Sequence, residues 1–319
     1  MSFKREPEIL VSVGICAYNE ENNIGELIET LLRDQDLPQN SEIIVICSGC
    51  SDRTPEIVRK YAEADPRVKL ILEDERRGKA PALNRILSIY KGRIFIHLDA
   101  DQLPEPKSIK YLIKHFNDNK VGAVSGKPIP TKTDSFMGKL VGVIWSLHNE
   151  TQKYFYIHGL PVHLSGHIFA MRRGICDKVP EDIVNDDAYI GVVCRLKKYK
   201  IVYDERARTI FKGPENFIDY INQRRRVVYG HLKVKKMTGV SPMVLEECPF
   251  KDKIKIISTW LMKNWRLFPY FLIAVFVEIV VNILARFDLV SGRNDHKVWK
   301  IAKTTKEKIT RRIPHSISG

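Results

Sequence analysis

Four short apolar runs alternate with stretches of helical periodicity in the first hundred residues of the chain. The runs lie at 9–16, 42–47, 67–72 and 93–98, and the helical stretches at about 20–36, 52–64 and 79–91. Continuous runs rich in β-branched residues are typical of strands that are buried on both faces of a sheet. Their alternation with helices predicts an α/β fold, a doubly wound and mostly parallel sheet with right-handed crossovers.

Polar residues follow each of these runs, at the point where each predicted strand ends. In a parallel sheet the carboxyl ends of the strands meet at one edge, and ligands bind there. Side chains from loops far apart in the sequence should therefore converge on one site. These loops carry Asn19, Glu20, Asp52, Arg76, Arg77, Lys79, Asp99 and Asp101.

The pattern after residue 100 is mixed, and no internal repeat is visible. We expect further strands and helices there. The strands are predicted at 121–129, 163–171 and 199–203, and the helices at 134–157, 186–198 and 214–237.

The sequence Asp99-Ala100-Asp101 directly follows the fourth run. Two carboxylates separated by one residue at a strand end can face the same side of a turn, and oxygen ligands suit Mg²⁺ or Mn²⁺ shared with substrate phosphates. Turns are rich in aspartate, so the motif alone carries little weight. Its place at the end of a buried strand strengthens the prediction of a metal site.

Charge is distributed unevenly along the 319 residues. The net charge is +14, and residues 212–319, with 21 basic and 9 acidic residues, account for +12 of it. The first two thirds are nearly neutral, and the basic part surrounds an apolar run, so we do not expect nucleic acid as a partner. The composition, with 44% hydrophobic and 28% charged residues, is that of a folded protein.

Residues 267–285 form an apolar run in which Glu278 is the one ionisable residue. Its length is close to the roughly 20 residues that span a bilayer. Basic residues flank both ends, which suits a helix in the membrane interface at least as well as a spanning one. A buried core helix is the alternative. We expect membrane association, and divide the chain into an α/β domain at 1–230 and a basic C-terminal region with membrane-associating helices at 231–319.

The amino terminus has no apolar stretch of the kind found in secretory signals, so we expect the α/β domain at the cytoplasmic face of a membrane, with reduced thiols. Cys47 and Cys50 have the spacing of zinc and redox sites. No second pair completes a zinc set, so we interpret them as cysteines at a strand-to-loop junction.

Seven short motifs occur in an order that resembles family 2 glycosyltransferases of the GT-A fold. The resemblance covers about residues 9–230 and implies a UDP- or GDP-sugar donor, a divalent metal and an inverting transfer of a hexosyl-type sugar. The motifs are VSVGICAYNEENNI, CSGCSDRT, RRGKAPALN, HLDAD, SGHIFAMRR, NDDAYIG and QRRRVVYG.

The resemblance also implies roles for individual residues. For the donor, these are the nucleotide-lining Ala17, Tyr18 and Glu20, the base-reading Asp52, the basic Lys79 and the metal pair Asp99 and Asp101. Asp187 matches the catalytic base, with Asp186 beside it. For the diphosphate and acceptor, the matching positions are Gln223, Arg224, Arg226, Gly166 and His167.

These roles are chemically consistent. An inverting transfer needs a base for the acceptor hydroxyl and cations for the leaving diphosphate, for which the planar guanidinium of arginine is suited. A helix cap is the competing interpretation of Asp187, and a solvated helix face that of the arginines.

One departure concerns polymer formation. Processive members of the family have Trp directly after the last arginine of the basic motif, where this chain has Val227. We therefore expect a single transfer to a lipid-linked or membrane-proximal glycan of the cell envelope. The alternatives are a processive polysaccharide synthase and a sugar-nucleotide nucleotidyltransferase. The second would need a glycine-rich phosphate loop where AYNEEN stands.

Overall fold

The first hundred residues build the sheet that their apolar runs predict. The computed structural model describes residues 10–131, 134–242, 248–292 and 306–309. Its first seven elements alternate as expected. They are β1 (Val11–Ala17), α1 (Ile24–Asp34), β2 (Ser41–Ser48), α2 (Thr54–Ala64), β3 (Val68–Glu73), α3 (Lys79–Ile89) and β4 (Ile94–Asp99).

The second part of the chain extends the same sheet and adds helices. Its strands are β5 (Gln102–Pro104), β6 (Val121–Pro130), β7 (Ile168–Arg172) and β8 (Lys200–Phe211). Its helices are α4 (Ser108–Ile113), α5 (Phe136–Ile157), α6 (Asp186–Leu196), α7 (Phe217–Thr238), α8 (Phe250–Lys263) and α9 (Phe268–Ser291), with short 3₁₀ turns at Lys114–Asn117 and Trp265–Leu267.

Eight strands form one sheet in the order β3-β2-β1-β4-β7-β6-β8-β5. Strands β1 to β4 pair in parallel, whereas β7 pairs antiparallel with both β4 and β6. The mostly parallel, doubly wound arrangement is confirmed.

Helices cover both faces of this sheet, which explains the uninterrupted apolar runs. One core lies between the sheet and α1, α2 and α4, and the other between the sheet and α3 and α6. Val13 and Ile15 of β1 point into the first core, while Ile44 and Ile46 of β2 point into the second. Alternate residues of central strands are therefore buried on opposite faces.

Several predicted boundaries were wrong. The strand predicted at 163–171 begins at Ile168, because His163 and Ser165 instead take part in loop hydrogen bonds with Gln152 and Ser125. The strand predicted at 199–203 continues to Phe211, since its second half pairs with both β6 and β5. Short elements such as β5 carry too few residues for a periodic signal.

Helix α9 packs one narrow face on the protein and leaves the other open. Its buried residues, Ala274, Val277, Val281 and Ala285, follow helical spacing and join the core formed with α5 and α7. The segment Trp265–Ser291 is long and apolar enough to cross a membrane, and 22% of its most apolar stretch is buried.

Two ion pairs fix α9 to α7. The Arg224 guanidinium donates to both carboxylate oxygens of Glu278, at 2.6 and 3.1 Å. Arg225 makes the same bidentate contact with Asp288, which is fully buried. We call these two pairs the helix clamp. The domain boundary at residue 230 stays a prediction, and α7 continues through that position.

Candidate active site

The loop after β1 is held by hydrogen bonds to the neighbouring loop after β2. The backbone N–H of Glu20 donates to the Thr54 hydroxyl at 2.7 Å, and Asn23 donates to the buried Glu20 carboxylate. The Arg76 guanidinium lies 4.0 Å from the centre of the Tyr18 ring, a cation–π distance. Three loops of the sheet edge thus meet at Tyr18.

Lys79, at the start of α3, links two of the acidic loops. Its ammonium lies 2.7 Å from Asp99 Oδ1 and 3.4 Å from Asp186 Oδ1. Burial lowers the pKa of Lys79, but Asp186 and Asp99 outweigh it, so the pKa is raised and the side chain stays charged. One buried cation therefore holds the end of β4 against the start of α6.

Asp99 and Asp101 differ in their surroundings. Burial alone would raise the pKa of Asp99, yet Lys79 and the fully buried His97, whose Nε2 lies 3.3 Å away, hold it well below its usual range. The pKa of Asp101 is raised, first by burial and then by the nearby charge of Asp99. Asp101 is therefore the carboxylate for which a cation would relieve the larger electrostatic cost.

The residues at this turn fit a divalent cation that is shared with substrate. Asp99 and Asp101 offer hard oxygen ligands, and Mg²⁺ or Mn²⁺ takes its other ligands from phosphates and water. Within the ranges that the structure describes, no three His, Cys, Asp or Glu side chains form a metal site without such help.

Asp187 faces the cavity from the first turn of α6. Burial and the neighbouring charge of Asp186 raise its pKa. A Cβ atom at Gly166 would lie 2.9 Å from Asp187 Oδ2, so glycine is needed for this close approach.

Helix α7 holds the loop that carries Asp186 and Asp187. The Asn185 side chain donates to the Val227 carbonyl at 3.0 Å, and a Cβ atom at Gly230 would lie 2.3 Å from Asn185 Oδ1. Glycine therefore leaves room for the Asn185 side chain against α7, and the hydrogen bond to Val227 joins the acidic loop to the basic motif.

The arginines of the basic motif have different surroundings. Arg224 and Arg225 bind α9 through the helix clamp. Arg226 is half-buried near the acidic groups, and desolvation lowers its pKa to about 10 against the opposing effect of Asp99 and Asp187, so it remains charged at neutral pH. Arg226 is thus the arginine whose charge acts on the acidic loops.

The side of the cavity away from β1 is aromatic and neutral. Trp145 of α5 packs edge-on against His167 and Phe211, with ring centres 4.5 and 5.2 Å apart. Burial lowers the pKa of His148 to about 3 and that of His167 to about 4, so both rings are uncharged at neutral pH.

One cavity of about 1040 Å³ collects nearly all of the predicted site residues. Asp52 does not line it, because its carboxylate accepts the backbone N–H groups of Glu21 and Thr54 beside the cavity. Asn19 and Arg77, also predicted at this edge, lie outside the lining, where Asn19 bonds to Ser51 and Arg77 pairs with Glu75. Five of the acidic residues that line this cavity lie in the loop after β1, in the turn after β4 and at the start of α6, and we call them the edge cluster. They are Glu20, Asp99, Asp101, Asp186 and Asp187.

The structure adds residues to which the sequence motifs assign no role. The sequence places Arg76 at the sheet edge but does not predict its cation–π contact with the Tyr18 ring. His97 lies within β4, Trp145 and His231 come from long helices, and Lys306 comes from near the carboxyl terminus; all but His97 line the cavity. The alternating pattern of the strand could have placed His97 on one face, but nothing local marks Lys306.

Comparisons with known proteins identify the family of the chain. A family model described as "Glycosyl transferase family 2" matches residues 12–179, more than half of the chain. The chain belongs to glycosyltransferase family 2. This membership confirms the resemblance and decides against the nucleotidyltransferase alternative.

Curated relatives of this family 2 glycosyltransferase are similar at moderate identity. A probable glycosyltransferase, YdaM, of Bacillus subtilis is 28% identical over 234 residues, which are 69% of this chain and 55% of YdaM. A poly-beta-1,6-N-acetyl-D-glucosamine synthase of Staphylococcus aureus is 27% identical over 240 residues, 74% of this chain and 58% of the synthase. The chain thus spans a little over half the length of these relatives.

The fold is also that of a solved mannosyltransferase from Pyrobaculum calidifontis, determined in complex with GDP-Man and Mn²⁺. The two structures align with a TM-score of 0.58 and 24% identity, over 91% of this chain and 80% of the mannosyltransferase. At this identity the likeness shows the shared GT-A fold.

Proposed function

We propose that this protein transfers a sugar from a nucleoside diphosphate sugar to an acceptor hydroxyl, with inversion at the anomeric carbon. The observation that carries the proposal is the convergence of Asp99, Asp101, Asp187 and Arg226 in one cavity at the carboxyl edge of the sheet. Membership of family 2 and the likeness to a mannosyltransferase that binds GDP-Man support it.

The donor would bind between the first loop and the turn after β4. Tyr18, stacked with Arg76, offers an aromatic face to the base, with Ala17 and Glu20 beside it and Asp52 behind the same loop. A divalent cation held by Asp99 and Asp101 would neutralise charge on the diphosphate. Arg226 supplies a further positive charge from α7, and Gln223 lines the same wall.

Asp187 is the better candidate for the base of the two neighbouring aspartates. Asp186 is 4% exposed and is engaged by Lys79, whereas Asp187 is less deeply buried and lies against Gly166 at the cavity wall. The Asp187 carboxylate would take the proton from the acceptor hydroxyl as the new bond to the anomeric carbon forms and the bond to the diphosphate breaks.

The neutral, aromatic side of the cavity favours a sugar hydroxyl as the acceptor. Trp145 and the uncharged His148 and His167 offer an apolar ring face and hydrogen-bonding groups without charge. We propose a single transfer to a lipid-linked or membrane-proximal glycan of the cell envelope, supported by Val227 in place of tryptophan.

A product-length assay tests single transfer against polymerisation, which the similarity to a polymer synthase keeps open as the second candidate. With excess donor, mass spectrometry of the products should show acceptors extended by one sugar. A ladder of longer products would support a processive synthase.

The transfer itself is tested by release of nucleoside diphosphate. Purified protein should release UDP or GDP from some UDP- or GDP-sugar when Mn²⁺ or Mg²⁺ is present, slowly without acceptor and faster with one. Release that continues unchanged in EDTA would contradict the metal requirement. No release from any sugar of either nucleotide would contradict the proposed donor class.

We propose, second, that α8 and α9 attach the protein to the cytoplasmic face of a membrane. Large apolar side chains of α9 are exposed in a stripe with helical spacing, namely Leu272, Phe276, Ile279, Ile283, Phe287 and Val290. Trp265 is 68% exposed at the junction of the helices, beside exposed basic residues that suit anionic headgroups.

The helix clamp favours an α9 that lies along the membrane surface. A spanning α9 would carry Glu278 and Asp288 into hydrocarbon, together with Arg224 and Arg225 of α7. Because α7 also lines the polar cavity, burial of α7 in lipid would place the site itself at the edge of the hydrocarbon. An in-plane helix keeps both ion pairs and exposes only the apolar stripe to lipid.

Vesicle flotation tests the attachment. The protein should float with vesicles containing anionic lipid, and Phe276→Glu should weaken this, whereas Leu196→Glu, at an exposed apolar residue of α6, is the control and should not. Orientation is tested in inverted membrane vesicles with Ser258→Cys, on α8, and Ser291→Cys, at the end of α9. An in-plane α9 leaves both thiols open to a membrane-impermeant maleimide, and a spanning α9 protects the thiol at residue 291.

A further inference from the structure

A short segment near the carboxyl terminus, residues 306–309, lies across the rim of the donor side of the cavity. It is almost three hundred residues away from the first loop in sequence, yet it contacts that loop directly. The Asn22 side chain donates to the Lys306 carbonyl at 3.1 Å, and the Ile309 N–H donates to the Asn23 side chain at 3.1 Å. The segment is therefore part of the wall of the site.

Two further contacts anchor the segment independently of Lys306. The Ile309 side chain is 2% exposed and belongs to the core beneath α1. Glu307 forms an ion pair with Lys212, a residue that is itself buried and lines the cavity. Since these contacts fix the backbone, the Lys306 side chain can change partners without release of the segment.

The Lys306 ammonium points into the cavity. It donates to the Tyr18 carbonyl at 3.1 Å and forms an ion pair with Glu20. Its charge is also felt at Asp101, where it opposes the rise in pKa that burial and Asp99 cause. The amine thus lies between the loop assigned to the nucleotide and the carboxylate assigned to the metal.

We propose that Lys306 is a donor-binding residue whose ammonium contacts the phosphates of the nucleoside diphosphate. The inference rests on the proposed donor and extends it to a residue outside every motif of the α/β domain. The lysine side chain is a flexible point charge with several rotatable bonds, so a small rotation can redirect it from the Tyr18 carbonyl to an incoming phosphate oxygen. Glu20 and the backbone carbonyl hold the ammonium in place until the donor arrives.

The test is calorimetric titration of the full-length protein with UDP and GDP, and with the nucleosides uridine and guanosine, in the presence of Mn²⁺. For the nucleotide that the wild-type protein binds, Lys306→Ala should weaken diphosphate affinity about tenfold or more, the size expected for one charge-assisted hydrogen bond. Nucleoside affinity should not change. Lys306→Arg should retain most of the diphosphate affinity. Lys308→Ala, an exposed residue of the same segment, is the matched control and should behave as the wild type.

A double variant distinguishes direct contact between Lys306 and phosphate from a role in which Lys306 only neutralises the charge of Glu20. In Lys306→Ala the Glu20 carboxylate loses its partner and could itself repel phosphate. The diphosphate affinity of Lys306→Ala/Glu20→Gln should therefore stay below that of Glu20→Gln alone.

Four results would overturn the inference and leave the proposed donor intact. If the diphosphate affinity of Lys306→Ala were unchanged, Lys306 would not contact the phosphates. If the affinity rose, Lys306 would oppose donor binding. Equal losses for diphosphate and nucleoside would mean that the segment only shapes the wall. Equal affinities of the double variant and Glu20→Gln would mean that Lys306 only neutralises Glu20. If the wild-type protein bound neither UDP nor GDP, the proposed donor itself would fail, and the inference with it.

Discussion

The edge cluster and the helix clamp both hold carboxylates away from water, but they balance the charges differently. In the helix clamp each carboxylate has its own arginine, in bidentate geometry. In the edge cluster, by contrast, the one ammonium of Lys79 is shared between Asp99 and Asp186. Matched pairs serve to join two helices. Carboxylates that share a cation and face a cavity are suited to a metal ion and its bound substrate.

The pKa shifts show the same difference. Asp101 and Asp187 of the edge cluster have raised pKa values, caused first by burial and then by a neighbouring aspartate. The pKa of Arg224 in the helix clamp is raised because Glu278 outweighs the effect of burial. The edge cluster therefore keeps electrostatic strain that a ligand can relieve, whereas each arginine of the clamp already has its carboxylate.

The largest expected effect comes from the edge cluster. Asp187→Asn should reduce transfer by roughly 10²–10⁴-fold, the contribution of a general base. Donor affinity should remain close to that of the wild type, because Asp187 faces the acceptor side near Gly166. Transfer rates and donor titrations of this variant, compared with those of the exposed Asp177→Asn, check the prediction. A collapse of donor affinity would make Asp187 a binding residue.

The helix clamp should respond in stability and not in donor binding. Asp288→Ala leaves Arg225 without its buried partner and should lower the free energy of unfolding by about 3 kcal/mol. Glu278→Ala should cost less, about 1 kcal/mol, because both members of that pair are partly exposed. Urea unfolding measures both values. If Asp288→Ala and Glu278→Ala lowered the free energy of unfolding equally, the difference in burial between the two ion pairs would not explain their contributions.

A smaller effect concerns the neutral side of the cavity. The pKa of His148 is about 3 in the folded protein, because of burial and the nearby His163, against roughly 6.5 in an unfolded chain. The unfolded state therefore binds more protons below pH 6.5, and the stabilisation present above that pH is lost as the pH falls toward 3.

The contribution of His148 to the pH dependence of stability can be isolated with the variant His148→Phe. Between pH 7.5 and 5.5 the unfolding free energy of the wild type should fall by about 1 kcal/mol more than that of the variant, with allowance for partial exposure. Equal losses in the two proteins would show that His148 is not buried in its neutral form.

The sequence predicted those parts of the fold that local patterns determine. The apolar runs placed β1 to β4, and their carboxyl ends placed Glu20, Lys79, Asp99 and Asp101 at one edge. These predictions hold because burial on both faces of a parallel sheet leaves a continuous signal in each strand.

The remaining features depend on contacts between distant elements. Arg224 and Arg226 are two residues apart on α7 and point in different directions, so their partners depend on where α9 packs. Lys306 reaches the site because Ile309 is buried beneath α1 and Glu307 pairs with Lys212. No local spacing encodes either arrangement.

The account depends most on the claim that the edge cluster binds a divalent cation together with a nucleotide sugar. Thermal unfolding with Mn²⁺ and a panel of UDP- and GDP-sugars tests it directly, because a ligand that binds only the folded protein raises its melting temperature. We predict a rise for at least one sugar nucleotide with Mn²⁺, a smaller rise without the metal, and loss of the metal-dependent part in Asp101→Asn. An equal rise in the wild type and Asp101→Asn, or no rise with any sugar nucleotide, would contradict the claim.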